Sequence, residues 1–381
     1  MKDSMKRILI FHPALAPYRI DFFNRIDAAS HATFYFTRQQ MIEQRFDDDA
    51  LRAQTTFESH FFDKIYRVGA KEYACGYGRA IRDVNPDILI GSELSMTTWR
   101  PLLHKIWRKL TAWITGKHVL QVWTMIDDSL HMAKRWQGGA RWQRKLLLPL
   151  LDGVIVVNQE VADYYASTYA LRRSPVVMPI IQEDRRFRSK LAQAIPIANT
   201  YLSEYSLQNT RCLLFVGRLV PLKGVDRLIA AFCASKPTEQ DRLIIVGEGE
   251  SEKALKKQAS ATPYAHQILF VGRYEDLSLL AWYLIGQTFA LCSESEAFGA
   301  VVNEALLAGM PVLCTDVAGA SSMLGPAEGA IFPYMDTARL AELIQEYLYT
   351  QTPVGDQVVL RPSLMPISFD KCMNQVLDAL L

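Results

Sequence analysis

The chain of 381 residues predicts an α/β protein built as two doubly wound domains, and three observations carry that reading. Short β-branched runs alternate with amphipathic helical patterns almost throughout. The runs are Arg7 to Phe11, Asp87 to Ile90, His118 to Trp123 and Gly153 to Val157, then Cys212 to Val216, Arg242 to Val246, Ile268 to Val271, Phe289 to Cys292 and Pro311 to Cys314. Continuous apolar strands separated by helices imply parallel sheets covered on both faces. The nine strands are too many for one sheet of ordinary size. Half of the residues are hydrophobic, enough for two cores.

Each element has its own signal. Arg7 to Phe11 ends at His12-Pro13 and is too short for a signal peptide, so it reads as a first strand. Helical periodicity runs over Val225 to Ala234, Ser251 to Ala259 and Ala300 to Ala308. Residues 179–210 hold Glu183-Asp184-Arg185-Arg186, Pro196 and Asn199-Thr200 and read as an irregular junction. The expected domains are residues 1–190 and 191–365, with 366–381 as a last helix after a proline-bearing loop. The net charge of +2 does not suggest nucleic acid as a partner. Six scattered cysteines without a C-x-x-C read as buried thiols of a reduced cytosolic protein, with no metal site expected. No uncharged apolar stretch of about 18 residues is present to span a membrane.

The most informative stretch is S-E-S-E-A-F-G-A-V-V-N-E-A-L-L-A-G-M-P-V, residues 293–312. Glu296 and Glu304 flank a small-residue turn that opens a helix. A carboxylate accepts hydrogen bonds from two vicinal hydroxyls, and a helix start offers free N–H groups to a phosphate. The pattern equally fits an ordinary amphipathic helix after a strand, with Glu304 solvated. Upstream, Gly217-Arg218 and Lys223-Gly224 follow the strand Cys212 to Val216. Two cations at a strand's carboxyl end suit a leaving diphosphate, and they also fit a βα turn with surface charges.

Taken in order, V-G-R-L-x3-K-G, L-I-I-V-G-E-G, F-V-G-R-Y and S-E-S-E-A-F-G-x3-N-E-A-L-x-A-G-x-P-V resemble glycosyltransferase family 4, retaining enzymes of the GT-B fold. The likeness is dense over residues 211–320. It extends more thinly over 7–190, through Pro13 to Arg19, Pro86-Asp87 and Asp152 to Asn158. It implies two Rossmann-like domains facing a central cleft, with the last helix crossing back to the first domain. By the same resemblance Arg218 and Lys223 stabilise the leaving diphosphate. Glu296 contacts the donor sugar, Glu304 holds the ribose, and the backbone around Phe298, Gly299, Ala300 and Val301 receives phosphate, while Gly217 lets the backbone turn or approach the donor closely. Arg273 and Tyr274 fall where the nucleobase pocket forms. No obligatory cofactor or metal is implied, and Asp47-Asp48-Asp49 reads as a solvated loop. The sequence departs from the family where a glycine-rich loop and a histidine are usual. His12 to Pro17 and Trp123 to Ser129 stand there instead, leaving Asp127 either as a sugar-contacting carboxylate or as part of a helix cap.

Residues 94–151 hold ten Lys or Arg, only two acids, and six of the seven tryptophans. Helical spacing puts Leu103, Trp107, Leu110 and Ile114 on one side and Lys105, Arg108 and Lys109 on the other. A second cluster runs from Lys134 to Lys145. This composition suits helices lying on an anionic bilayer through residues 99–148, and it equally suits helices with their aromatic face in the core. The expectation is a metal-independent glycosyltransferase, cytoplasmic and peripheral on the inner face of the cell membrane. It would move sugar from a UDP- or GDP-sugar to a saccharide acceptor, such as a polyprenyl-diphosphate-linked one, in surface polysaccharide or lipopolysaccharide assembly. The rival readings are an epimerase or hydrolase of the same fold, and a non-catalytic nucleotide-sugar binding protein at the membrane.

Overall fold

The computed structural model describes residues 5–38, 48–62, 64–68, 71–115 and 120–381. The chain forms two compact units, residues 1–180 with 370–381, and residues 181–369. In the first unit the strands are β1 (Arg7–His12), β2 (His31–Phe36), β3 (Ser59–Phe61), β4 (Lys64–Val68), β5 (Lys71–Cys75), β6 (Ile88–Ser92), β7 (Gln121–Ile126), β8 (Gly153–Val156) and β9 (Val176–Val177). Seven of them form a sheet in the order β3-β2-β1-β6-β7-β8-β9, and β4 and β5 pair as a separate antiparallel hairpin. All pairs in the seven-stranded sheet are parallel.

The second unit contains β10 (Arg211–Val216), β11 (Asp241–Val246), β12 (Ile268–Gly272), β13 (Thr288–Leu291), β14 (Val312–Thr315) and β15 (Gly329–Phe332). Their order is β12-β11-β10-β13-β14-β15, again parallel throughout. Each sheet reverses direction of growth beside its first strand, between β1 and β6 and between β10 and β13. Ligands in doubly wound sheets bind outside the carboxyl ends of the strands at such a reversal. The nine expected strands all form, within one to three residues of the expected bounds. Four of the strands that were not anticipated lie toward sheet edges: β2, β3, β9 and β15. Their partial burial weakens the apolar signal, as in β2, where only Phe34 and Phe36 are buried.

Two expectations need correction. Residues 179–210 are not irregular, because Asp184–Glu204 is one helix. Its buried Phe187, Leu191, Ala194, Ala198 and Leu202 recur every three or four residues. Glu183 caps it, its side chain accepting from the Arg185 and Arg186 amides at 3.3 and 2.6 Å. The charged run is thus the helix start, and Pro196 sits inside it. The units divide at Ile180/Ile181 and at Phe369/Asp370, whereas a boundary at 190/191 would cut this helix.

The second correction concerns the helix Met96–Thr115, whose polarity is the reverse of a surface helix. Lys105 and Arg108 are buried, while Leu103, Ile106, Trp107 and Leu110 are exposed. Lys105 Nζ donates to Asp152 Oδ2 at 2.6 Å and to the Leu150 carbonyl at 3.1 Å. Burial holds its ammonium below the usual lysine range. Arg108 donates to the Pro86 carbonyl at 3.3 Å and to Asn85 Oδ1 at 3.0 Å. Two long cationic stems therefore share the inner face with Leu102, and the apolar row is left outside. The side chains of Trp113 and Ile114 lie outside the described residues. Trp123 is fully buried and Trp99 packs on the core, so the tryptophans divide between interior and surface.

Removing one partner of a buried ion pair costs about 3 kcal/mol. Lys105→Ala is expected to lower the urea midpoint by a corresponding amount, whereas Lys109→Ala, at an exposed position, should change stability by less than about 0.5 kcal/mol. Equal effects of the two substitutions would contradict the inward placement of Lys105.

Candidate functional site

The reversal point of the second sheet gathers the residues picked out from sequence. Gly217 and Arg218 directly follow β10, and Ser293 to Glu296 follow β13. The two loops are joined by backbone, with Glu294 N donating to the Leu222 carbonyl at 2.8 Å. They are also joined by charge, through an ion pair between Lys223 Nζ and Glu296 Oε2. Ser293 Oγ donates to the same Glu296 oxygen at 3.3 Å. Arg218, two residues past the end of β10, is half-buried. Gly247, after β11, lies against Gly217 with φ +145°, and a Cβ there would stand 1.9 Å from the Gly217 carbonyl oxygen. Gly299 enters the helix Ala300–Leu307 at φ +97°, and no side chain caps that helix start. Ala300 and Val301 are half-exposed, while Phe298 is buried with its carbonyl accepting from Ala320 N at 2.8 Å. An uncapped helix start with free amides and a nearby cation is a place for an anion.

Glu304 lies one helical turn further in. Its two carboxyl oxygens accept from Gln182 Nε2 at 2.8 Å and from Tyr283 Oη at 2.7 Å. Burial pushes its pKa up to about 7, against the downward pull of these two donors. It is therefore not a solvated residue of an amphipathic helix. Arg273 and Tyr274 follow β12, the edge strand, two positions from the reversal. Arg273 is exposed and paired with Glu248 at 3.0 Å and with Glu275. Tyr274 leans on Tyr201 and Trp282, with ring centroids at 5.5 and 5.7 Å.

The first unit holds a second polar cluster at its own reversal point. Asp127, after β7, forms an ion pair with Arg19, whose side chain is 2% exposed. Asp127 N donates to Glu93 Oε1 at 2.9 Å. Glu93 ends β6 with φ +56°, an unusual conformation for a non-glycine residue. Its pKa is pushed up to about 8 by burial first, then by the Asp128 and Asp127 carboxylates. His12, at the end of β1, is pushed down to about 4 by burial and by the Arg19 charge. Asp128 has a different task. One of its oxygens accepts from Trp136 Nε1, Tyr165 Oη and Arg144 at 2.7, 3.0 and 3.2 Å. Ser129 supplies the helix cap, accepting from Met132 N at 3.3 Å. Arg19, Glu93, Gln182 and Tyr283 were not singled out from sequence. For Glu93 a signal existed: an acid at the carboxyl end of a buried run.

Residues 203–353 match the family described as Glycosyl transferases group 1. The chain is 33% identical over 141 residues to the GDP-mannose-dependent monoacylated alpha-(1-6)-phosphatidylinositol monomannoside mannosyltransferase of Corynebacterium glutamicum, over 34% of this chain and 36% of that protein. It is 30% identical over 141 residues to the putative teichuronic acid biosynthesis glycosyltransferase TuaC of Bacillus subtilis, over 37% of this chain and 34% of that protein. The chain spans about a third of the length of these curated relatives. Among solved structures it is similar to Anabaena HepE in complex with UDP, with a TM-score of 0.68 and 15% identity over 99% of this chain and 95% of that one.

The fold is GT-B. The GT-B architecture accounts for the paired sheets with the same strand order, and the matched family segment covers the second unit's reversal point.

Two measurements test this geometry. Gly247→Ala combines a disfavoured φ with a backbone clash and should destabilise the protein by at least about 2 kcal/mol in urea unfolding. Glu304 gives a pH signature. A carboxyl raised in the folded state stabilises fully below its unfolded pKa of about 4.5. That contribution is lost as pH rises through the folded value of about 7. The unfolding free energy of the native chain, relative to Glu304→Gln, should therefore fall between pH 4.5 and 7 and level off above. A flat difference would exclude a buried titrating carboxyl.

Proposed function

We propose that this chain is a retaining glycosyltransferase. It transfers a sugar from a nucleotide diphosphate donor to a saccharide acceptor carried on a lipid such as a polyprenyl diphosphate. The product would enter cell-surface polysaccharide or lipopolysaccharide. The reading rests on one observation: the Lys223–Glu296 ion pair and an uncapped helix start meet at the reversal point of the second sheet, where Arg218 also leaves β10, inside the segment that matches Glycosyl transferases group 1. The rival readings of the same fold draw no specific support from this geometry.

The chemistry follows from the charges. As the bond from the anomeric carbon to the diphosphate oxygen breaks, negative charge grows on the leaving group. Arg218, Lys223 and the amides of Ala300 and Val301 meet that charge without an obligatory metal. The acceptor hydroxyl forms the new bond on the same face, and its proton passes to a phosphate oxygen. No strong side-chain base is needed for that transfer. Glu296, tied to Lys223 before donor arrives, turns to the sugar hydroxyls, and Glu304 to the ribose. Arg273 and Tyr274 border the base, and Asp127 is the sugar-contacting carboxylate suggested by the sequence. The Corynebacterium relative is named for GDP-mannose and HepE was solved with UDP, which supports UDP or GDP as the donor nucleotide. Work on a lipid-borne acceptor places the chain at the cytoplasmic face of the cell membrane as a peripheral protein. Among the described residues no helix is long and apolar enough to cross a membrane.

A thermal-shift panel of UDP, GDP, ADP and dTDP tests the donor. A ligand at 100 times its Kd stabilises the folded state by about 2.7 kcal/mol, and UDP or GDP is expected to do so. Lys223→Ala and Glu296→Ala should each lower transfer at least about a hundredfold. If neither nucleotide raises the midpoint, or both variants transfer normally, the donor assignment is wrong. Incubation with nucleotide sugar alone separates a transferase from an epimerase.

A further inference from the structure

We infer that the outer face of Met96–Thr115 and Gly138–Leu147 inserts into the headgroup–acyl boundary of an anionic bilayer, with apolar side chains entering it and basic side chains ringing it. This deepens the membrane part of the proposed function, on which it rests, and removes Lys105 and Arg108 from the contact the sequence suggested. Lys105 and Arg108 face inward and cannot meet lipid. What faces outward is Leu103, Ile106, Trp107 and Leu110, a row at spacing i, i+3, i+4 and i+7 that is 43–73% exposed. On the second helix Trp142 and Leu146 are likewise exposed, 67% and 46%. The hydrogen bond from Lys105 to the Leu150 carbonyl ties the first helix to the turn that ends the second.

Concentration and charge argue for lipid. Seven of the fourteen exposed large apolar side chains among the described residues fall between Leu103 and Leu150. Around them Arg100, Lys109, Lys134, Arg135, Arg141 and Lys145 are exposed. The acids of the region are spent inside the unit: Asp128 on Arg144, Asp127 on Arg19, and Asp152 on Lys105. The surface therefore carries apolar and cationic groups with no exposed acid between residues 94 and 151 among those described. Such a face repels a second copy of itself. It complements a surface that offers negative charge at the headgroups and hydrocarbon just beneath, and tryptophan favours that boundary.

The test is flotation of the full chain with vesicles of phosphatidylcholine alone and of phosphatidylcholine with phosphatidylglycerol. Binding to the anionic vesicles is expected, with a blue-shifted tryptophan emission that acyl-brominated lipid quenches. Trp107→Ser with Leu110→Ser should weaken binding at least about tenfold, and Arg141→Glu with Lys145→Glu should remove the preference for anionic lipid. The substituted side chains are exposed, so the thermal midpoint serves as the folding control. Should a variant misfold, quenching of the native chain, lost in Trp107→Phe with Trp142→Phe, carries the test. Absence of flotation, binding indifferent to the serine pair, or a concentration-dependent dimer that the serine pair abolishes would each overturn the inference. Nucleotide stabilisation measured on the same samples reports separately on the donor site.

Discussion

Parallel strands buried on both faces leave little room for charge within a sheet, and this constraint arranges the molecule. Charged groups collect at the two edges, where they do different work. At the amino edge they pin strand entries. Arg7 pairs with Asp87 at 3.2 Å, and Arg211 pairs with the fully buried Asp241 at 2.8 Å. Asp152 accepts from Val122 N at 2.7 Å as well as from Lys105. These partners are satisfied within the fold. At the carboxyl edge the Lys223–Glu296 pair joins two loops, its side chains 18% and 17% exposed beside an uncapped helix start. A pair held that way is oriented before a ligand arrives and remains accessible to one.

The first unit treats its carboxyl edge differently. Glu93, Asp127 and Asp128 bring three carboxyls together, and among the described residues Arg19 and Arg144 pair with them. The burial of Glu93 keeps its proton near neutral pH, which relieves like-charge repulsion in the cluster. A protonated Glu93 still accepts the Asp127 amide, so the backbone that carries Asp127 stays fixed while its side chain is held by Arg19. The positive φ of Glu93 is consistent with strain retained for position.

Central strands were legible in the sequence because burial on both faces writes itself as a continuous apolar run. Strands at or near the edges, such as β15 and β2, were not, because a partly exposed strand dilutes that run. The loop motifs were legible for another reason: glycines at Gly217, Gly247 and Gly299 mark places where backbones must approach or turn. The helix Asp184–Glu204 carries a regular apolar spacing, but Pro196 and the charged start mask it in the sequence. The helix Met96–Thr115 shows where composition fails outright. Amphipathicity locates two faces and does not say which one turns inward. Here Asp152, Leu150, Pro86 and Asn85 offer acceptors to Lys105 and Arg108, and those long-range partners decide. Glu93 escaped notice because its partner amide lies thirty-four residues away.

The helix Phe369–Leu380 returns to the first unit, where Asp370 pairs with Arg25 and Met373 and Val376 are completely buried. The first unit is therefore discontinuous in the chain, opened by the insertion of the whole second unit. During synthesis the second unit has all of its strands before the first receives its last helix. The amino-terminal unit, though made first, is the last to be completed, and it waits with part of its apolar surface uncovered while the other folds. A fragment cut at Ile180 would keep the seven-stranded sheet and lose its closing helix, so the two units are structurally separate without being genetically separable.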